Sequence, residues 1–177
     1  MAIILFRATC MAGPLAVMCH SGTAADRALK YHDNSADGKK SLGGSGEIIA
    51  FGLPGGGEIA GLRVHGSRYG SPQPPKESFL FYFLNEEMDD VIAARLAPYS
   101  KFERGSEKWV YLKFEKPVEV PENFRVAIDF GAAQTKGVYV SFDSSTTGEH
   151  SFVDLPGVPA RPAELGGDWM IEAVPVR

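Results

Sequence analysis

The chain has 177 residues, which is enough for one domain and short for two. Hydrophobic residues make up 44%, which excludes a wholly disordered protein, and 20 glycines with 12 prolines favour strands joined by turns over a helical bundle. The net charge of −4 argues against nucleic acid as a partner.

Residues 1–25 are typical of a secretory signal peptide. An apolar stretch from Ala8 to Cys19 is followed by Thr23-Ala24-Ala25, whose small residues match a cleavage site. The stretch is too short to cross a membrane as a helix, so we expect no membrane span. A spurious start of the chain is one alternative. Lipid attachment at Cys19 is another, although Ala16-Val17-Met18 before it departs from the usual small-residue pattern.

Cleavage after Ala25 would leave a single secreted or periplasmic domain at residues 26–177. Both cysteines, Cys10 and Cys19, precede the cleavage point. The expected domain therefore contains no thiol or disulfide, and its stability must come from its hydrophobic core.

Short alternating or apolar segments, bounded by Gly, Pro, Asn or Asp, recur through the domain and predict about ten β-strands. They lie near Ala28–His32, Glu47–Leu53, Glu58–His65, Ser78–Leu84, Val91–Leu96, Lys108–Phe114, Phe124–Phe130, Gly137–Asp143, His150–Leu155 and Trp169–Val174. No segment has a clear helical stripe, although Asp89–Leu96 fits two helical turns as well as a strand. We therefore expect an all-β antiparallel sandwich, with jelly-roll topology preferred.

The segment Ser78–Leu84 is apolar on both of its faces rather than on alternate positions, which predicts a central strand covered on both sides.

Strand alternation also predicts a polar sheet face. With Leu62 and Val64 in the core, their neighbours Arg63 and His65 point away from it. The same argument turns further polar residues outward on other strands: Asp129, Tyr139, Asp143 and Glu172. If these strands are neighbours, one face can hydrogen-bond sugar hydroxyls while its aromatic rings stack on the sugar. A solvated face with cross-strand ion pairs fits the same pattern.

The segment His65–Lys76 predicts a distinctive loop. Arg68 and Tyr69 are typical anchors for a protein partner, and the prolines lower the entropy lost on binding. A rigid connection that holds Tyr69 against the sandwich is the alternative. A second aromatic and basic loop, Tyr99–Arg104, would flank it.

Asp33 and Asp37 are the candidate metal ligands. With Asn34 and Ser35 they supply oxygens before Gly38, a pattern that suits Ca²⁺. The loop lacks the acidic twelfth residue of an EF-hand, so an ordinary turn is the alternative. We expect no required cofactor, and the sequence allows a structural calcium.

Catalysis has little support in the sequence. His65 with Asp129 or Asp143 would form an acid–base pair for a hydrolase, but no spacing selects this pair. We therefore expect a non-catalytic protein.

Several segments together resemble the galactose-binding-like, jelly-roll accessory modules of secreted bacterial proteins. They are Tyr31-His32-Asp33, Asp37-Gly38, residues 43–51, residues 62–66 and residues 168–173. The resemblance implies an eight- or nine-stranded sandwich outside the cytoplasm with a non-catalytic role, often in binding carbohydrate or protein. It also implies a structural Ca²⁺ near the first strands, which suits Asp33 and Asp37. No ligand-binding residue is carried over, since binding loops vary across such folds.

Overall fold

The computed structural model describes residues 28–176, which form two antiparallel β-sheets packed face to face. The predicted signal peptide at residues 1–25 lies outside the described residues. Between residues 28 and 176 there is no α-helix, and hence none long and apolar enough to cross a membrane. The all-β antiparallel sandwich expected from the sequence is confirmed, and the jelly-roll topology stays a prediction.

The described residues contain twelve strands and one 3₁₀ turn at Tyr99–Lys101. In chain order the strands are β1 (Gly38–Lys40), β2 (Gly46–Gly52), β3 (Gly57–Gly70), β4 (Ser78–Asn85), β5 (Val91–Pro98), β6 (Lys108–Val120), β7 (Asn123–Asp129), β8 (Lys136–Asp143), β9 (Ser151–Asp154), β10 (Arg161–Pro162), β11 (Asp168–Trp169) and β12 (Ile171–Pro175).

Strand β3 is the centre of the first sheet. β6 pairs with it along one side, while β12 and then β8 pair with it along the other. β1 extends this sheet beyond β8, and β11 pairs with the last two residues of β8. The second sheet has the order β10-β9-β2-β7-β4-β5. β5 and β6 are therefore the edge strands of their sheets, and they lie on the same side of the sandwich.

The predicted strands correspond to observed ones with two main differences, and one alternative to a strand is excluded. The segment Ala28–His32 is not a strand, because only Leu29 pairs, with Ala173 of β12, before the chain leaves that edge. β3 continues to Gly70, because β8 supplies partners for its last five residues. The alternative of helical turns at Asp89–Leu96 is wrong, since this segment enters β5.

The core lies between the sheets and is rich in aromatic residues. Phe79 contacts the rings of Phe81, Tyr99, Phe102 and Phe130. All five side chains are almost completely buried. Burying each such ring stabilises the fold by about 2 kcal/mol, so this cluster fixes the spacing of the two sheets.

Strand β4 is covered on both faces, as its sequence predicts. Its phenylalanines enter the core between the sheets, while Tyr82 and Leu84 point to the other side. There a second apolar cluster includes Met88 from the turn after β4 and Phe152 of β9. β4 pairs with β7 on one side and β5 on the other, so it is an interior strand of its sheet.

One acidic residue also points between the sheets. Glu47 of β2 is 1% exposed, and its Oε1 accepts a hydrogen bond of 3.3 Å from the Leu42 N–H. Its other oxygen is buried without a hydrogen-bond partner among the described residues. Burial, with a smaller contribution from Asp129, raises the pKa of Glu47 well above its ordinary value of 4.5.

This raised pKa predicts a pH-dependent stability that Glu47→Gln should remove. Because the folded protein holds the proton more tightly than the unfolded chain, Glu47 contributes most below about pH 4.5 and loses that contribution as pH rises through the folded-state pKa. The free energy of unfolding of the wild type should fall relative to the variant by at most about 1.4 kcal/mol per pH unit. Urea denaturation at pH 5 and pH 8 measures this difference, and parallel pH profiles would contradict the prediction.

Candidate functional site

The outward side of the first sheet carries a continuous set of polar and aromatic side chains, which we call the polar face. Cross-strand pairing brings its members together: His65 lies opposite Trp109, Arg63 opposite Tyr111 and Glu172, and Ser67 opposite Tyr139. The full set is Arg63, His65, Ser67, Tyr69, Trp109, Tyr111, Tyr139, Ser141 and Glu172.

A buried carboxylate organises one end of the polar face. Glu172 is 1% exposed, and its Oε2 accepts a hydrogen bond of 2.7 Å from Arg63 Nη1. Its Oε1 lies 3.3 Å from Nε2 of His32, whose side chain is completely buried. His32 Nδ1 accepts the Asn34 N–H at 3.3 Å, and its Nε2 has no hydrogen-bond partner among the described residues. The buried carboxylate is thus paired with the Arg63 cation and lies beside one imidazole.

The indole of Trp109 lies at the centre of this end. The Arg63 guanidinium is 4.8 Å from the ring centroid, within the range of a cation–π contact. The His32 and His65 rings lie 5.0 and 5.1 Å from it. Trp109 is partly exposed, so its remaining surface faces solvent.

The His65 imidazole is uncharged and forms a hydrogen bond to a neighbouring strand. A hydrogen bond of 2.9 Å joins its Nδ1 to Oγ of Ser141 on β8. Burial lowers the pKa of His65, and nearby His32 lowers it further, while Glu107 acts in the opposite direction. A neutral imidazole both donates and accepts hydrogen bonds, which suits a ligand rich in hydroxyl groups.

Two tyrosine rings lie against the sheet where glycines leave room for them. A Cβ added to Gly61 would lie 2.5 Å from the Tyr111 ring, and one added to Gly137 would lie 2.4 Å from the Tyr69 hydroxyl. Both rings therefore cover neighbouring backbone rather than standing away from it. Tyr111 is 43% exposed, so part of its ring is open to a ligand.

The other end of the polar face combines aromatic and ionic contacts. The Tyr69 and Tyr139 rings lie 4.6 Å apart, and the Lys39 ammonium is 5.2 Å from the Tyr139 ring. Lys39 also donates a 2.5 Å hydrogen bond to Glu107, which accepts a second one of 2.8 Å from Ser67 Oγ. These bonds, the one from Lys39 foremost, lower the pKa of Glu107 to about 2.

A groove of about 260 Å³ borders the polar face. Trp109 and Tyr111 line it together with polar side chains from the segment before β6 and its first residue: Lys101, Glu103, Ser106 and Lys108. Lys108 and Glu103 form an ion pair of 2.6 Å. The groove thus offers aromatic surface on one side and hydrogen-bonding groups on the other.

The structure brings together most, but not all, of the residues predicted for this face. Arg63, His65 and Tyr139 lie on it together. The prediction is wrong for Asp129, which lies on β7 of the second sheet and accepts the Gly131 N–H at 2.7 Å. Alternation along a strand gives the side on which a residue lies but does not say to which sheet the strand belongs.

Asp143 is outward on β8, as predicted, but it is fully buried. Its two oxygens accept the N–H groups of Asp33 and Ser145, at 2.8 and 2.7 Å. These hydrogen bonds lower its pKa despite burial. The acid–base pair expected for a hydrolase is not formed within residues 28–176, because His65 bonds to Ser141, while Asp143 bonds to backbone.

The prediction that Arg68 is an exposed anchor for a protein partner is also wrong. Arg68 belongs to β3 and is 6% exposed, because its side chain turns to the inner side of the strand. It donates hydrogen bonds to the carbonyl oxygens of Ser71 and Pro72, at 2.6 and 3.0 Å. Arg68 therefore fastens the loop after β3, and Tyr69 lies on the polar face rather than in that loop.

The candidate calcium ligands take part in a turn. Asp33 Oδ1 accepts the Ser35 N–H at 2.7 Å, and Asp37 Oδ2 accepts both the N–H and the hydroxyl of Ser144, at 2.8 and 2.7 Å. These bonds fasten the segment before β1 to the segment after β8. In the part of the chain that the structure describes, no group of three or more His, Cys, Asp or Glu residues is arranged to hold a metal.

Sequence reasoning missed Trp109 and Tyr111 as members of the site. The signal was present, because both alternate with Val110 and Leu112 along the predicted strand Lys108–Phe114. What the sequence lacked was the pairing of β6 with β3, which sets Trp109 beside His65.

The buried ionic contacts of Glu172 predict a large cost for Glu172→Gln. The substitution keeps the size of the side chain but leaves Arg63 without its counter-charge in a largely buried position. We expect a loss of about 3 kcal/mol in the free energy of unfolding, measured by urea denaturation. Lys108→Ala, which breaks an exposed ion pair, is the control and should leave the unfolding curve unchanged. Equal effects of the two substitutions would contradict the prediction.

Calcium is tested by thermal unfolding. Since Asp33 and Asp37 already accept hydrogen bonds within the chain and Ca²⁺ needs 6–8 oxygen ligands, we expect the same melting temperature with calcium and with a chelator. A rise in melting temperature with calcium, absent in Asp37→Asn, would instead establish the metal site that the resemblance implies.

The comparisons with known proteins assign no relative to this chain: no family model matches it, and no curated protein matches it.

Proposed function

We propose that this protein is an exported, non-catalytic β-sandwich that binds carbohydrate on the polar face of its first sheet. The observation that carries the proposal is the pair of solvent-accessible rings, Trp109 and Tyr111, beside an open polar groove. Sugar rings stack on aromatic surfaces through their apolar C–H faces, and their hydroxyl groups need nearby donors and acceptors.

The polar groups near these rings suit a ligand without charge. Three ion pairs on or beside this face balance most of its charges: Arg63 with Glu172, Lys39 with Glu107, and Lys108 with Glu103. Balanced pairs present dipoles and hydrogen-bonding atoms but little net charge. This favours a neutral oligosaccharide over an anionic one.

The polar face is also held rigid before any ligand arrives. Glycine-backed tyrosines, the buried Glu172 contacts and the His65–Ser141 hydrogen bond fix the positions of its side chains. A site formed in advance loses less entropy on binding. Export remains part of the proposal on the strength of the signal-like residues 1–25.

The proposal is tested on an array of neutral and acidic oligosaccharides, followed by calorimetry with the best neutral binder. Tyr111→Ala should weaken binding about fivefold, because the stacking of one aromatic ring contributes on the order of 1 kcal/mol. Tyr139→Ala tests whether the ligand reaches the other end of the face.

Leu96→Ala is the matched control, since Leu96 is a large exposed apolar residue on the edge strand of the other sheet. It should bind the oligosaccharide like the wild type. The proposal fails if no neutral oligosaccharide binds, or if binding is unchanged in both tyrosine variants.

A further inference from the structure

A second surface, outside the polar face, lies where the sandwich opens between the edge strands β5 and β6. Two adjoining cavities, of about 390 and 500 Å³, are lined by residues of both strands, and Arg95 lines both. We call them together the edge groove. Its floor is apolar and consists of side chains that continue the core: Phe81, Leu112, Phe114 and Val118.

The rim of the edge groove is basic. Arg95, Lys101, Lys113 and Lys116 line the cavity of about 390 Å³, and the acidic residues of the two cavities are Glu115 and Glu119. Lys101 also lines the groove beside the polar face. None of these four cations forms an ion pair with another described residue. Arg95 donates only to the carbonyl oxygen of its neighbour Ala94, at 2.9 Å, among the hydrogen bonds found within residues 28–176. In a chain of net charge −4, this concentration of unpaired cations favours an acidic partner.

The two edges that border the groove differ in their protection. β6 carries Lys113, Glu115, Lys116 and Pro117 along its exposed part, the usual means of blocking an edge against further pairing. β5 pairs with β4 on one side only and is less protected: it carries one charge, Arg95, a bulge near its start, and one proline, its last residue Pro98. An edge without a row of charges or an internal proline accepts an additional strand more readily.

Exposed apolar side chains accompany the free edge of β5. Val91 is 47% exposed and Leu96 is 66% exposed. From Val91 to Ala97 the edge is roughly 20 Å long at the usual rise of a strand, which suits a segment of about seven residues. Alternate side chains of a chain that pairs here would point into the groove, on the side of Arg95 and Phe81, and to the outer face of the second sheet, on the side of Leu96.

We propose that the edge groove binds an extended, acidic segment of another protein, which adds a strand to β5. Backbone hydrogen bonds to β5 hold the segment, its carboxylates point into the groove and pair with Arg95 and Lys116, and its apolar side chains lie beside Val91 and Leu96 on the outer face of the sheet. Charge favours this partner over a second copy of the chain, because pairing two β5 strands would bring their basic rims together.

The test uses an eight-residue peptide in which aspartate and valine alternate, with a lysine–valine peptide of equal length as its control. Calorimetry with the wild-type chain should show binding of the acidic peptide and none of the basic one. Lys116→Glu and Arg95→Glu should each weaken binding at least tenfold. Lys76→Glu makes the same charge change in the loop before β4, away from the groove, and should keep most of the affinity.

Amide hydrogen exchange locates the bound peptide. Slower exchange confined to Val91–Ala97 on addition of the acidic peptide supports strand addition to β5. Binding that leaves these amides unchanged, or equal binding of both peptides, overturns it. Two further outcomes also overturn it: binding of polygalacturonate in place of the peptide, and a dimer in light scattering whose β5 amides are already protected without peptide. The outcome of the peptide experiments does not depend on whether Tyr111 binds a neutral sugar.

Discussion

Strand β3 pairs with β6 along one side and with β12 and β8 along the other, and most of the first sheet is built on these contacts. Because side chains alternate along a strand, the register of β3 determines both which of its residues enter the core and which join the polar face. Leu62 and Val64 enter the core, while Arg63 and His65 join the polar face. A shift of one residue would bury a guanidinium between the sheets and expose the core, so the hydrophobic effect fixes the geometry of the site.

The polar face shows how a sheet accommodates a buried charged group. Glu172 is acceptable there because Arg63 and His32 lie on its two oxygens, and Trp109 covers the group from the solvent side. Glu47 shows the opposite case. Among the described residues it has no cation beside it, so burial keeps it protonated over a wider pH range. Charge pairing, more than depth of burial, therefore separates the rigid polar face from a pH-sensitive element of the core.

The two proposed surfaces differ in electrostatic character, and this difference explains their different ligands. On the polar face, cations and carboxylates are paired with each other, which leaves aromatic rings and dipoles for a neutral sugar. At the edge groove, Arg95 and its neighbouring lysines form no ion pairs with residues 28–176, and the free edge of β5 supplies backbone groups instead. The first suits a ligand with hydroxyl groups, and the second suits an acidic chain.

The sequence by itself determined most of the strand segments, the all-β sandwich and the outward direction of Arg63, His65 and Tyr139, because alternation and turn residues are local properties. It also predicted the covered strand β4. Only the tertiary structure decided which strands are neighbours. The pairing of strands separates Asp129 from the polar face and places Trp109 beside His65. The tertiary structure also turns Arg68 inward, where it fastens a loop. Strand pairing joins residues far apart in the chain, and a local pattern carries no information about such partners.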